Sequence, residues 1–287
     1  MLGIFIAILV AIIWALGDVN YSKISNKYDK ANVYLYTYLL RAVIYIGVVF
    51  IFQRSIIGTF NKDILLSTLP IIMCDMFASL VINLAMTNGK LSIVSPIMAS
   101  YPAVDVLLGT ILLKEKISII EIILVVIINI SIIILAMNQK KSKKIPHPKI
   151  GIVFSILYML LVSFSIYFEK TNYIHKITIY DLYYYKGSIY IIASTIFAII
   201  IAFTSKKMSP LNKDIIKGCS LTPIGNVLDS IALSIGDISI ITPISSLYAA
   251  ITNFISRFYL KEKITIREKI CIGLVILCTL TLIILKI

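Results

Sequence analysis

The sequence predicts an all-α polytopic membrane protein, with ten transmembrane helices in two inverted five-helix repeats. Three observations lead there. The 287 residues are 59% apolar and only 14% charged, whereas a soluble domain carries about 25% charged residues. The apolar residues gather into ten runs, each near the roughly 20 residues that a helix needs to cross a bilayer. The pentapeptide LKEKI occurs at 113–117 and again at 260–264, an offset of 260 − 113 = 147 residues.

The runs fall at 2–22, 31–52, 64–85, 91–113 and 117–137, then at 150–169, 179–204, 214–234, 238–260 and 266–286. The first has no basic n-region and no small-residue cleavage site, so it reads as a retained helix rather than a signal peptide. Between the fifth and sixth runs lies NQKKSKKIPHPK (138–149). Its lysines and prolines cannot be helix buried in lipid, so it divides the chain into repeats at 1–137 and 150–287.

The repeats are legible in the residues. GKLSIVSPIMASYPAVDVLLGTILLKEKISIIE (89–121) lies over GDISIITPISSLYAAITNFISRFYLKEKITIRE (236–268) without a gap. Pro96 meets Pro243, Tyr101 meets Tyr248, Glu115 meets Glu262 and Glu121 meets Glu268. Five spans carry the chain from one side of the membrane to the other. The second copy therefore enters from the opposite face, and the repeats are inverted.

The formal net charge is +13, but the Lys and Arg sit in short gaps between apolar runs, as in membrane proteins. No basic stripe interleaved with aromatics suggests nucleic acid. Cys74, Cys219, Cys271 and Cys278 form no C-x-x-C pair and imply no disulfide framework. No phosphate-binding loop, H-E-x-x-H or G-x-S-x-G is present. No enzyme activity, cofactor or metal is expected, and any driving force must be a gradient.

Charged residues inside spans are costly and are functional candidates by default. Arg41 and Lys186 occupy the second and seventh runs, with snorkelling to the interface as the plain alternative for Lys186. Asp75 and Asp229 follow prolines in the third and eighth and read as pseudo-equivalents; Asp18 and Asp105 are further candidates. Tyr38 and Tyr45 flank Arg41, and Tyr183 with Tyr190 brackets Lys186. Trp14, Tyr101 and Tyr248 would complete an aromatic lining able to hold an ammonium, while Tyr28 and Tyr34 read as interface-belt residues. The expected substrate-binding set is Trp14, Tyr38, Arg41, Tyr45, Asp75, Tyr101, Tyr183, Lys186, Asp229 and Tyr248. Pro96, Pro102, Pro223 and Pro243 interrupt spans and should face protein or a cavity, because lipid cannot satisfy the carbonyls they free. Glu115 and Glu262, at span ends among lysines, read as caps or loop anchors rather than substrate ligands.

The stretch from Pro102 to Glu115 in YPAVDVLLGTILLKEKI, the Trp14 and Gly17 helix IIWALGDVNYSK and Arg41 in TYLLRAVIY resemble the drug/metabolite transporter superfamily, in its ten-helix EamA-type members. Ala249 stands where the first repeat has Pro102, and Lys precedes each Glu where the family often has Gly. The resemblance implies a plasma-membrane carrier of a small metabolite, often an exporter, working as a monomer or homodimer. Paired acids and many tyrosines point to an amine or amino acid, with protons as the candidate coupling ion. A flippase for lipid-linked cargo and a non-transporting membrane subunit are the alternatives. The resemblance also implies cytoplasmic termini, whereas the lysines at 140–144, 206–217 and 261–269 favour the opposite placement under the positive-inside rule.

Overall fold

A computed structural model describes residues 2–56, 58–88, 97–98, 100–137, 148–204, 208–248, 250–252, 255 and 266–285. Among them the regular structure is helical, without a strand. In hydrocarbon a helix satisfies its own backbone groups, which an isolated strand cannot do. The first half comprises α1 (Leu2–Lys27), α2 (Lys30–Phe52), α3 (Lys62–Asn88), α4 (Tyr101–Ile111) and α5 (Ile119–Met137). The second comprises α6 (Pro148–Ile174), α7 (Ile179–Phe203), α8 (Lys213–Ile235), α9 (Ile238–Ser245) and α10 (Ile266–Leu285).

Helix ends follow local chemistry. The Asp29 carboxylate accepts from Ala31 N ahead of α2, and Asn212 accepts from Asp214 N and Ile215 N ahead of α8. Thr178 and Asp181 form a reciprocal capping box on α7, each such cap supplying an acceptor to otherwise orphaned N–H groups. Among the described residues five segments are long and apolar enough to cross a membrane: Leu2–Tyr21, Lys30–Phe52, Lys62–Ile82, Ile150–Ile174 and Ile179–Phe203.

On α1 the large side chains Phe5, Leu9, Ile12 and Leu16 point outward, while Ala7, Val10, Ala11 and Ala15 are fully buried. This reverses the size order of a soluble core. Small residues between membrane helices let backbones approach closely, and bulky ones meet lipid. The buried seam packs on α8. There a Cβ on Gly17 would lie 3.0 Å from Thr222 Oγ1, and one on Gly225 would overlap the Trp14 ring.

The principal contacts run between the halves: α1 with α8, α3 with α6, α2 with α7, α4 with α9 and α5 with α10. Exchanging each helix with the one five places along the chain returns the same pairs. The fourth and ninth runs break at matching points. Ser100 N donates to Ile97 O at 3.2 Å, and Leu247 N donates to Ile244 O at 3.1 Å. Both positions differ by 147, the LKEKI offset.

The prolines behave unequally. Pro70, Pro223 and Pro243 lie inside helices. Pro102 instead occupies the first turn of α4, where no intrahelical donor is needed, so it does not interrupt the helix as expected. Pro96 lies outside the described residues. Near Pro70, Asn172 of α6 donates to Ser67 O at 3.1 Å, which supplies a backbone carbonyl with a protein partner.

The first LKEKI joins the halves directly. Lys114 has φ +56°, a left-handed turn that folds the chain back after α4. Glu115 then accepts from Ile238 N at 2.9 Å, from Ser239 N at 3.0 Å and from the Ser239 hydroxyl. It caps α9, a helix of the other half. Gly109 makes room for this, since a Cβ there would sit 2.5 Å from both Glu115 Oε2 and Ser239 Oγ. The second LKEKI lies outside the described residues. Removing the Glu115 cap should cost about 1–2 kcal/mol. Glu115→Ala in detergent should therefore melt several degrees below wild type, and identical melting would show that the cap contributes nothing.

Candidate functional site

Between the halves lies a cavity of about 240 Å³. Its walls include Trp14 and Asp18 from α1, Arg41 from α2, Asp75 from α3, Tyr101 from α4 and Lys186 from α7. Ser165 and Glu169 of α6, Asn226 and Asp229 of α8, and Tyr248 beyond α9 complete the polar lining.

Lys186 is 3% exposed, so it does not snorkel. Its Nζ lies 2.8 Å from Asp75 Oδ2 and 3.4 Å from Glu169 Oε2. A buried ammonium requires such partners, because an uncompensated charge in the interior is strongly destabilising. The acids are themselves held. Ser165 Oγ donates to Asp75 Oδ1 at 2.5 Å, Tyr173 OH donates to Glu169 Oε1 at 2.7 Å, and the Ser230 hydroxyl also donates to Glu169.

Arg41 differs. Its Nη1 donates to Ser79 Oγ at 3.2 Å, and its guanidinium stands 6.0 Å from the Tyr190 ring centre. Among the described residues no carboxylate forms an ion pair with it, and its Nε is buried without a partner. Asp18 faces the cavity from α1. Among the described residues the site thus holds one ion-paired cation, Lys186, and one without an ion pair, Arg41.

Seven of the ten residues expected from sequence line the cavity; Tyr38, Tyr45 and Tyr183 do not. These three are buried in an aromatic layer between α2 and α7. Tyr45 packs 4.6 Å from Tyr183 and 5.9 Å from Tyr190, ring centre to ring centre. The rings of these tyrosine-rich segments pack on one another across facing helices, while the Tyr45 and Tyr183 hydroxyls bond to Asn226 and Ser230 of α8. Tyr34, expected at the interface, lines the cavity and stacks on Phe197 at 5.2 Å.

The charges are not symmetric either. From their N-caps Asp29 and Thr178, Arg41 lies 41 − 29 = 12 residues along and Lys186 lies 186 − 178 = 8. Asp75 is 75 − 62 = 13 residues into α3, and Asp229 is 229 − 213 = 16 into α8. Each pair is offset by about one turn. By register the partner of Asp75 is Asn226. Asp229 accepts from Ser245 Oγ at 2.7 Å.

Residues 1–137 match the EamA-like transporter family. The first half is EamA-like. No curated protein matches the sequence. A solved structure, described only as the crystal structure of a protein, is similar over 97% of this chain and 93% of its own, with a TM-score of 0.74 and 12% identity. At that identity the likeness is one of fold.

Two side chains of the site went unremarked in the sequence, Asn226 and Glu169, and the first ties the EamA-like half to the other. Asn226 Oδ1 accepts from Trp14 Nε1, and its Nδ2 donates to Tyr45 OH, both at 3.0 Å. Glu169 stood at the edge of the expected sixth span, 150–169. Because α6 runs on to Ile174, it lies inside. The spacing of Asn226, Asp229 and Ser230 on one helical face was the available signal. At the end of the molecule Lys27 lies 2.9 Å from Asp214. That hydrogen bond raises the Lys27 pKa above its ordinary value, an exposed pair of small energetic weight.

Trp14 is the single tryptophan, so its fluorescence reports on this junction. Asn226→Leu leaves the indole N–H without an acceptor and should cost about 1–3 kcal/mol. The expected outcome is a shifted emission maximum together with a lower melting temperature; an unchanged spectrum and melting curve would contradict the junction.

Proposed function

We propose that the protein is a gradient-driven carrier of a small metabolite bearing an amine and a carboxylate, an amino acid foremost, working by alternating access between inverted repeats 1–137 and 150–287. The observation that carries this reading is Arg41, a guanidinium on the wall of a small polar cavity that pairs with no carboxylate among the described residues. A substrate carboxylate would supply the missing partner, since bidentate pairing suits guanidinium. Asp18, on the same cavity, offers a carboxylate to an ammonium group.

Three features support the carrier over a subunit without transport. The EamA-like family over the first half is a transporter family. Packing of α1–α5 on α6–α10 is unchanged when the halves are exchanged. The matched breaks at Ser100 and Leu247 adjoin Tyr101 and Tyr248, both on the cavity wall. Discontinuous helices at a repeat interface are where secondary transporters place substrate. The cell membrane is its proposed location, with lipid-linked cargo as the rival substrate.

Thermal shift with amino acids, amines and lipid-linked sugars, followed by uptake into liposomes, tests this. Ligand at a hundredfold over Kd should stabilise wild type by about 2.7 kcal/mol. Arg41→Ala should lose that stabilisation and uptake while melting near wild type, since it breaks no ion pair. Lys186→Met strands Asp75 and Glu169 and should cost about 3–5 kcal/mol. If Arg41→Ala melts as low as Lys186→Met, Arg41 is structural and the reading fails.

A further inference from the structure

Asp105 sits on α4 one turn beyond Tyr101, outside the cavity lining. Its side chain is wholly buried, and neither carboxylate oxygen receives a hydrogen bond. Its polar neighbours are the hydroxyls of Ser163 on α6 and Thr242 on α9. Both have already committed their hydrogens. Ser163 Oγ donates to Tyr101 O at 3.1 Å, and Thr242 Oγ1 donates to Ile238 O at 2.9 Å. A hydroxyl carries one hydrogen, so each can donate to Asp105 only by giving up its backbone carbonyl. Two carboxylate oxygens thus meet, in a buried cluster, two hydroxyls already engaged elsewhere.

The surrounding charges do not compensate. The charged groups that act on it are Asp229 of α8 and Glu115 after α4, both acids. From α6 the ammonium of Lys170 is taken by Leu233 O at 2.9 Å and Gly236 O at 2.6 Å. Glu169 on the same helix is bound to Lys186. Glu121 of α5 caps its own helix at Ser118, and α9 contributes no titratable side chain between Ile238 and Ser245. A charged carboxylate in such a place would be very costly. Space argues against a hydrated ion, for one turn on at Gly109 the helices are so close that a Cβ would meet Glu115 and Ser239 at 2.5 Å.

We propose that Asp105 is a proton-binding site, the bound proton supplying the hydrogen that lets its carboxyl donate to Ser163 or Thr242. α4 packs on α9 and α6, both in the other half. The proton therefore holds the halves together at this point. Its loss leaves a bare carboxylate in the seam, which water must enter to solvate. Proton release and separation of α4 from α9 become one event. The role in coupling rests on the carrier reading above; the presence of the proton does not.

Two measurements on the purified full-length protein test this. Infrared spectra at neutral pH should show the carbonyl stretch of a protonated carboxyl that is absent from Asp105→Asn. A band unchanged in that variant overturns the proposal. Asp105→Asn supplies an N–H where the proton stood and should melt at or above wild type. A fall in its melting temperature, together with stabilisation of wild type by sodium or lithium chloride over choline chloride, would show a metal cation instead and also overturn it. In liposomes Asp105→Asn should retain substrate exchange and lose accumulation driven by a pH gradient. Retained pH-driven accumulation would remove the coupling role. If wild type moves no solute at all, the carrier reading falls while the infrared result still decides the proton.

Discussion

The buried Lys186 ammonium sets the terms for the middle of this molecule. It projects from α7 in the second half and is held by Asp75 from α3 and Glu169 from α6. A positive charge removed from water persists only where anions and further hydrogen bonds surround it. Ser165, Tyr173 and Ser230 extend the arrangement to the far oxygens of those anions. Four helices, α3, α6, α7 and α8, thereby acquire a fixed relation around one atom. The cavity lies beside this arrangement, and Asp75, Ser165, Glu169 and Ser230, gathered around one lysine, supply part of its polar wall.

Much of the fold was legible because lipid imposes simple rules. Apart from the fourth and ninth, which break, runs near twenty apolar residues became helices whose ends shifted only a few places, and α7 occupies Ile179–Phe203 where 179–204 was expected. Glu115 was read as an anchor, and it is one. What the sequence did not disclose was its target, the N-terminus of α9, since which helix end a loop reaches is a matter of three-dimensional packing.

The site was less legible, for a reason visible in its tyrosines. A helix in lipid can turn an aromatic toward the cavity, a neighbouring helix or the bilayer, and composition does not choose. Tyr38, Tyr45 and Tyr183 chose neighbours, while Tyr34, expected at the rim, chose the cavity. Charged residues were more reliable because lipid closes one of their options. Asn226 passed unnoticed because a neutral amide in a span costs little enough to be unremarkable, although here it bridges Trp14 and Tyr45.

The seam of Ala7, Ala11 and Ala15 bears on how the chain is made. It is shaped for α8, and α8 is not among the segments apolar enough to cross by length and composition, since it carries Asn226, Asp229 and Ser230 inward. During synthesis α1 reaches the membrane about two hundred residues ahead of its partner, at roughly 5–20 residues per second. For that interval its small-residue face lies open to lipid. When α8 emerges, α1 gives its polar face a protein surface in place of hydrocarbon. The first helix is thus already in place to receive the eighth, and each half completes the packing of the other.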